Sequence, residues 1–436
     1  MKRILPLLLV ILIFGYSNSA ISQTIKFQET ALFNRHHTGY SMLTDTTGGR
    51  TQYLMAGTLL EPGQADSTDV HVVYTDDIGN IIWQKTYDTG ENERCLNVVH
   101  DSTGFVMTGY VDTAGAAHQV FVLRIDGFGN VVDQSRFESP FSGLTHGLGI
   151  QHTQDNGYVL TGFIADDYAT SDSKRTFVMK LDPNLNPSWS RYFNTPWVFN
   201  RDYDMGESIV EIPGQGYFVS GSMNFPRNQF ASPVPNFTDQ GVLAIMLDLN
   251  GNLLWNKSFA VQDSAHAGHG NVGVKPYFDT GSNLIYLMSN NTQAHQFNIT
   301  VFDLAGNIVN NWDYGFVLNG IAGFDLNESA NPNTLVACGV AVFFDFLYEG
   351  VWSSTNYPPV LVEFNKSDGS ILWSKLYKFP SENYGFFPNG FFTPIPGEQP
   401  LIFTPDMLTL APDGGYGIAA YRSNSSSFFD LEVIKT

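Results

Sequence analysis

Basic residues are scarce in this sequence of 436 residues. Lys and Arg together number 22 against 42 Asp and Glu, which gives a formal net charge of −20. A surface this acidic repels phosphate backbones and anionic membranes, so we expect no nucleic-acid partner. Charged residues make up only 15% of the chain, whereas 43% of it is hydrophobic. The chain can therefore bury a large core.

Long apolar runs are missing beyond the start of the chain. Basic residues precede an apolar run (4–14), and small residues then lead to a cleavage site near Ser22. This pattern predicts a secretory signal peptide over residues 1–22. The run is too short to cross a bilayer, and no Cys follows it to carry a lipid anchor. We expect an exported protein, periplasmic or extracellular, whose mature part (23–436) is a single domain without a membrane span.

Only two cysteines occur, Cys95 and Cys338. In an oxidising compartment they could pair, but the repeats described below place them in different structural units. We expect both to be buried, unpaired thiols.

Strand and turn residues are abundant, and they form a repeating pattern. The chain has 41 Gly and 21 Pro, and 14% of it is aromatic. The first pattern is a strand, a tight Asp/Gly/Asn turn and a second strand with aromatics. Its copies are VVYTDDIGNIIWQKTY (72–87), VLRIDGFGNVVDQSRF (122–137), VMKLDPNLNPSWSRYF (178–193), IMLDLNGNLLWNKSF (245–259), VFDLAGNIVNNWDY (301–314) and VEFNKSDGSILWSKLY (362–377).

Aromatic residues recur at fixed distances after the turn glycine of this pattern. Four positions later stand Trp83, Trp189, Trp255 and Trp373, with Asp133 and Asn310 in the other copies. Eight positions later every copy has an aromatic: Tyr87, Phe137, Phe193, Phe259, Tyr314 and Tyr377. An even spacing keeps both positions on one face of a strand. We expect the tryptophans to lie mostly buried against the neighbouring unit, with structural roles.

A second pattern alternates with the first: a strand, a polar Gly turn and a strand that ends in a small residue. Clear copies are LNVVHDSTGFVMTGY (96–110), LGIQHTQDNGYVLTGF (148–163), SIVEIPGQGYFVSGS (208–222) and LTLAPDGGYGIAAY (408–421). Together the two patterns make a four-stranded antiparallel unit that cannot bury both faces alone. We predict an all-β fold, a seven-bladed β-propeller.

The two ends of the chain supply the piece that the last blade lacks. The segment 428–436 matches only the first strand of the Asp/Gly pattern, and 24–33 resembles its second strand. We therefore predict that three C-terminal strands and one N-terminal strand share a blade. This pairing closes the propeller and removes exposed sheet edges.

The D-x-x-G-N-x-x-W strand pair resembles the tryptophan-docking repeat of quinoprotein-like (PQQ-type) propellers, and the resemblance covers nearly the whole mature chain. It implies an exported bacterial propeller. Quinone-dependent relatives have eight blades, an adjacent Cys-Cys pair and an acidic calcium site, so we expect no quinone or other cofactor here. Secreted relatives often end in a separate sorting domain for export, and this sequence shows no such domain.

Motifs that carry chemistry are few. His266 and His269, with Asp263 nearby, have a spacing that could hold a metal, but a polar loop is the simpler interpretation. Asp155 and Asp413 head turn sequences that resemble fragments of calcium loops, but the later ligands are missing, so we expect hairpin turns. We also expect the Asp of the first pattern to cap its own turn (Asp76, Asp126, Asp182, Asp248 and Asp303). We see no nucleophile elbow, phosphate loop or dinucleotide fingerprint. No catalytic residue is predicted.

Strand order predicts where function lies. Tight hairpins must lie on one face of the propeller, and the long insertions (194–205, 223–240, 260–272, 340–359 and 378–405) on the other, the long-loop face. These insertions carry the predicted binding residues Trp197, Phe199, Tyr203, Phe225, Phe230, Trp352, Tyr357, Tyr384, Phe386 and Phe387. We predict a monomeric binding or scaffold protein for a protein or glycan ligand. The alternative is a polysaccharide or peptide hydrolase or lyase that uses acidic residues in the central funnel.

Overall fold

A computed structural model shows a β-structure with almost no helix. It describes residues 27–31, 36–60, 68–112, 118–138, 143–165, 174–193, 204–224, 240–259, 271–291, 296–314, 321–341, 359–377, 406–423 and 429–436. One short 3-10 helix, Thr47–Gly49, lies among them. No helix in this part of the chain is long and apolar enough to cross a membrane.

The strands form seven four-stranded antiparallel sheets, which are the blades. Blade 1 contains β2 (His36–Asp45), β3 (Gln52–Leu60), β4 (Thr68–Asp76) and β5 (Ile81–Tyr87). Blade 2 contains β6 (Asn92–His100), β7 (Gly104–Asp112), β8 (Gln119–Asp126) and β9 (Val131–Phe137). Blade 3 contains β10 (Thr145–His152), β11 (Tyr158–Ala165), β12 (Lys174–Leu181) and β13 (Pro187–Phe193). Blade 4 contains β14 (Asp204–Ile212), β15 (Gly216–Asn224), β16 (Gln240–Asp248) and β17 (Leu253–Phe259).

The remaining three blades follow the same plan. Blade 5 contains β18 (Asn271–Asp279), β19 (Leu284–Asn291), β20 (Gln296–Phe302) and β21 (Ile308–Asp313). Blade 6 contains β22 (Ile321–Glu328), β23 (Thr334–Ala341), β24 (Pro359–Asn365) and β25 (Ile371–Leu376). Blade 7 contains β26 (Leu408–Leu410), β27 (Tyr416–Ser423), β28 (Phe429–Lys435) and the N-terminal β1 (Phe27–Ala31).

The seventh blade closes the propeller as the sequence predicts. Strand β28 lies between β27 and β1, with Phe27 opposite Lys435 and Ala31 opposite Leu431. The first strands of all neighbouring blades contact each other, including β2 of blade 1 and β26 of blade 7. At that last junction the Thr44 hydroxyl donates to Leu410 O at 3.0 Å. The first strands therefore surround the axis, and the fourth strands lie at the rim.

Burial follows this arrangement. The second and third strands are almost continuously buried, as in β4 and β7. The fourth strands alternate between exposed and half-buried side chains, as in β5 and β9. Such strands use one face for the neighbouring blade and leave the other in solvent. The core therefore lies between the blades.

The repeated aromatics make these contacts between blades. The side chain of Trp83 docks on the Asp/Gly turn of blade 2, where a Cβ on Gly129 would lie 2.9 Å from its ring. The Tyr87 hydroxyl donates to Gly129 O at 2.8 Å. Trp189 and Trp255 repeat the contact on Gly251 and Gly306. All four predicted tryptophans are partly buried, with the larger part of each side chain covered, and they keep some exposure because they lie on rim strands that solvent reaches.

The copies that lack a tryptophan replace it in two different ways. In blade 5, Trp312 lies two positions beyond Asn310 and docks on Gly369 of blade 6. In blade 2 the position holds Asp133, and the receiving turn of blade 3 has Leu185 in place of glycine. Leu185 adopts a positive φ of 59° and is buried, so its side chain occupies the junction between these blades. A strained backbone is tolerated there because the leucine supplies apolar contact that the missing ring does not.

Removing one docking ring is expected to weaken the fold at one junction. Trp255 packs on Gly306 and donates from Nε1 to Leu304 O at 2.9 Å. Because the ring is half-buried, Trp255→Ala should cost about 2–3 kcal/mol, less than for a fully buried aromatic. Urea titration of wild type and variant measures this loss, with Trp255→Phe as an intermediate control. Equal stability of wild type and Trp255→Ala would contradict the docking role.

The smaller predictions on cysteines and turns are confirmed. Cys95 and Cys338 are free and buried, in blades 2 and 6. Each Asp of the first pattern accepts hydrogen bonds from its own turn, as Asp126 does from Asn130 N at 2.8 Å. Asp155 and Asp413 lie in hairpin turns, where each accepts a backbone N–H.

Candidate functional site

The strand order gives the propeller two different faces. The turns between strands one and two and between strands three and four, such as 101–103 and 127–130, lie on the hairpin face. The segments that join strands two and three, and one blade to the next, attach to strand ends on the opposite face. These include the segments 225–239, 342–358 and 377–407. The long insertions therefore attach where the sequence places them, on the long-loop face.

The predicted binding residues lie outside the described residues. These are Trp197, Phe199, Tyr203, Phe225, Phe230, Trp352, Tyr357, Tyr384, Phe386 and Phe387. The weak metal candidates Asp263, His266 and His269 also lie outside them. Their roles remain predictions.

In the described part of the chain, many of the exposed large apolar side chains lie at or next to the hairpin turns. Phe128 (77% exposed), Ile78 (60%) and Leu249 (43%) are in hairpin turns. Adjacent apolar pairs such as Ile81 and Ile82 begin the fourth strands next to those turns. The hairpin face therefore carries an apolar surface, which any binding test must distinguish from the predicted site on the long-loop face.

A β-bulge interrupts the first strand of six blades and fixes which side chains reach the axis. In four blades the single extra residue is apolar and buried: Leu96, Leu148, Val274 and Phe324. In blade 4 the same position holds Glu207. An acid thus replaces the hydrophobic residue that the other blades place at this level.

Glu207 is buried, with 1% of its surface exposed. The Ser222 hydroxyl donates to Glu207 Oε1 at 2.8 Å, while Oε2 has no hydrogen-bond partner among the described residues. Burial raises the pKa of Glu207 to about 8, and the bond from Ser222 offsets part of the rise. The carboxyl group is therefore mostly protonated at neutral pH and can act as a hydrogen-bond donor.

A charged group lies at the axis. Asp406, at the start of the first strand of blade 7, accepts a 2.6 Å hydrogen bond from Asn97 Nδ2 of blade 2. Its other oxygen pairs with the ammonium group of Lys275 from blade 5. Neither of those blades adjoins blade 7, so the three side chains must meet across the axis. Asp406 has a φ of 78°, a left-handed conformation uncommon outside glycine, which often marks a functional or constrained position.

Asp325 of blade 6 is a second carboxylate close to this group. It is fully buried, and its Oδ2 accepts a 2.8 Å hydrogen bond from Leu408 N. Burial raises the pKa of Asp325, and Lys275 and backbone N–H groups oppose the rise. Burial likewise lowers the pKa of Lys275, and Asp325 opposes that shift. Asn97, Lys275, Asp325 and Asp406, here called the axial cluster, therefore place an amine and carboxylates together, with Asp325 buried and Lys275 and Asp406 partly exposed.

Two stacked histidines lie at strand ends on the long-loop face between blades 2 and 3. His118 Nδ1 is 2.7 Å from His146 Nε2, and His118 Nε2 is 3.1 Å from Asp112 Oδ1. Tyr110 stacks on His146 with ring centroids 3.6 Å apart. Burial lowers the pKa of His146 well below its usual value, and His118, Lys174 and Arg94 lower it further. Asp112, His118 and His146 are thus in close contact in a row, and the inner imidazole, His146, is neutral.

Sequence reasoning missed Glu207, the axial cluster and the histidine pair because it relied on the residues that the repeats share, and the residues of these groups differ between copies. Lys275 and Asp325 follow the bulge in blades 5 and 6, where other blades have Gly149 and Ser208. Polar residues that differ between copies at one repeat position were the available signal. Their convergence depends on the order of the blades around the axis, which no local pattern contains.

The fold defines the class of the molecule as a seven-bladed β-propeller. No protein-family model matches the chain. No curated protein matches it either.

Solved structures include distant neighbours. The periplasmic gluconolactonase of Pseudomonas aeruginosa is 11% identical with a TM-score of 0.45, covering 77% of this chain and 84% of that one. Hydrazine synthase of Kuenenia stuttgartiensis is 10% identical with a TM-score of 0.41, covering 72% of this chain and 73% of that one. A point mutant of Synechocystis apocarotenoid oxygenase is 10% identical with a TM-score of 0.37, covering 64% of this chain. The chain spans only 62% of the length of that oxygenase.

Likenesses this distant concern the fold alone, and propellers carry many unrelated functions. The resemblance to quinoprotein repeats stays a prediction. The function must be argued from this chain's own surfaces.

Proposed function

We propose that this protein is an exported binding or scaffold module that holds a protein or glycan ligand on its long-loop face. The observation that carries the proposal is the difference in length between the connections on the two faces. The hairpin face has short turns capped by their own aspartates, such as Asp126 and Asp248. The other face receives the long segments 225–239, 342–358 and 377–407. Long connections on a rigid scaffold are the usual place for recognition.

The contacts across the axis support a surface site. Asp406 bonds to Asn97 and Lys275 there, so polar side chains that already have partners occupy the axis. The sequence of the long segments is rich in aromatics, and aromatic side chains are enriched at the centres of protein interfaces. The signal-peptide pattern over residues 1–22 supports export to the periplasm or the exterior.

A second candidate function is an enzyme on polysaccharide or peptide. The axial cluster favours it, because it brings carboxylates and an amine together, and the pKa values of Asp325 and Lys275 are shifted. Against this candidate, Asp406 already has hydrogen-bond partners on both oxygens. A general acid or base needs a free path to substrate.

Replacing Trp197, Trp352 and Phe387 together by Ser is expected to abolish ligand capture and leave the fold intact. These side chains belong to the long segments and lie outside the repeated strands that form the blades. Wild type would be screened against a glycan array and a displayed peptide library. Each retained ligand would then be titrated against the triple variant by calorimetry, with thermal unfolding as the folding check.

Two further variants decide between the surfaces. Phe128→Ser removes the most exposed aromatic of the hairpin face and should bind ligand as wild type does. Asp406→Asn keeps the size of that side chain and should also bind normally. Loss of binding in Phe128→Ser with retention in the triple variant would place the site on the hairpin face. Turnover of a ligand that disappears only in Asp406→Asn would favour the enzyme.

A further inference from the structure

An acidic cluster bridges blades 1 and 2 at the long-loop face. It consists of Asp69 on β4, Asp88 after β5 and Glu93 on β6, and one carboxylate oxygen from each lies within 4.8 Å of the others. Asp69 and Glu93 are buried, whereas Asp88 is exposed. The cluster therefore opens to solvent on one side and has buried carboxylates on the other.

Glu93 provides an independent indication of a ligand. Only 2% of its surface is exposed, and its Oε2 has no hydrogen-bond partner among the described residues. Its other oxygen accepts a hydrogen bond from the Thr89 hydroxyl, and Arg136 Nη2 lies 3.6 Å away from that oxygen. A buried, unsatisfied carboxylate oxygen is costly unless something binds it.

Arg136 lies beside the cluster. Its guanidinium group pairs with Glu91, and its Nη2 lies 3.6 Å from Glu93 Oε1. Glu93 Oε2 is therefore the oxygen that is left for a ligand.

We propose that Asp69, Asp88 and Glu93 form a calcium-binding site that ties blade 1 to blade 2. The donors are all carboxylate oxygens, without His or Cys, which suits a hard cation. Calcium accepts six to eight oxygen ligands in flexible geometry and tolerates carboxylates supplied by separate strands. Magnesium requires a near-ideal octahedron, so this arrangement favours the larger ion.

Calcium alone is the probe in the experiment that tests the site. The mature protein, dialysed against chelator, would be titrated with calcium chloride by calorimetry at neutral pH, and its thermal unfolding measured with and without the ion. We expect saturable binding and a higher unfolding temperature with calcium. Glu93→Gln and Asp88→Asn should each weaken binding at least about tenfold, as expected for loss of one ligand.

Glu138→Gln is the matched control. Glu138 is an exposed carboxylate at the end of β9 on the same blade and face, and it accepts a hydrogen bond from Gln119. Calcium binding in this variant should equal that of wild type. Glu93→Gln removes a buried charge and keeps an acceptor for Thr89, so it should fold. Absence of saturable calcium binding in wild type, or undiminished binding in both ligand variants, would overturn the proposal.

Discussion

Deletion of residues 428–436 is expected to leave the protein insoluble or without a cooperative unfolding transition. Strand β28 (Phe429–Lys435) is an inner member of blade 7 and pairs with both β27 and β1. Its loss also removes Thr436, whose N–H bonds to Tyr416 O at 2.9 Å. The remaining strands cannot close the propeller, and bare sheet edges promote aggregation. The cost should approach the whole stability of a domain, about 5–15 kcal/mol.

Deletion of residues 24–33 is the milder form of the same experiment. It removes only the rim strand β1 (Phe27–Ala31) and exposes the edge of β28. We expect soluble protein with a lower unfolding temperature and a tendency to aggregate. A control that replaces residues 429–435 by a Gly/Ser sequence of equal length separates loss of the strand from loss of chain. A truncated protein that unfolds at the wild-type temperature would contradict closure through the two ends.

Glu207→Gln is expected to stabilise the protein at pH 9 and to change little at pH 4. Burial raises the pKa of Glu207 to about 8, while an unfolded chain returns it to an ordinary carboxyl value near 4.5. Between these two values the folded state binds the additional proton, so wild-type stability falls as the pH rises through this interval. Above pH 8 the folded protein carries a buried carboxylate. The accumulated cost is on the order of 3–5 kcal/mol.

Thermal unfolding from pH 4 to pH 9 measures this difference. Glutamine keeps an acceptor for the Ser222 hydroxyl and removes the titration. The difference in unfolding temperature between wild type and variant should therefore grow as the pH rises above 4.5. Other groups with shifted pKa values, such as His146, affect both proteins equally and cancel in the comparison. Glu328→Gln, at an exposed carboxylate, is the control for loss of one acidic side chain. Parallel curves for Glu207→Gln and wild type would show that this carboxyl group is not held in an apolar environment.

The architecture was predictable from the sequence because its signals are local and repeated. The Asp/Gly turns and the aromatics that follow them, such as Tyr87 and Tyr314, recur in successive blades. A strand or turn that is ambiguous in one copy can be assigned from the clearer copies. Closure was predictable for a similar reason, since each end of the chain supplies a recognisable fraction of one repeat. The residual exposure of the tryptophans was not predictable, because it depends on their position at the rim.

The candidate sites are formed by residues that differ from their counterparts in the other repeats. A search for what the repeats share does not identify such residues. Leu185 compensates for Asp133 across a blade junction, which becomes visible only when the two turns are placed next to each other. Glu207 stands at a bulge position where four other blades have Leu, Val or Phe, and this position is recognised only once the strands are paired. Lys275 and Asp406 are far apart in sequence and meet only when the propeller closes.

The most direct test of the proposed function maps a bound ligand on the protein. Hydrogen–deuterium exchange would be measured with and without a ligand that wild type retains from the array or the library. We predict protection in the segments 194–205, 223–240, 340–359 and 378–405, with no change in the hairpin turns 77–80, 127–130 and 249–252. Protection confined to those hairpin turns, with the long segments unchanged, would contradict the assignment of function to the long-loop face.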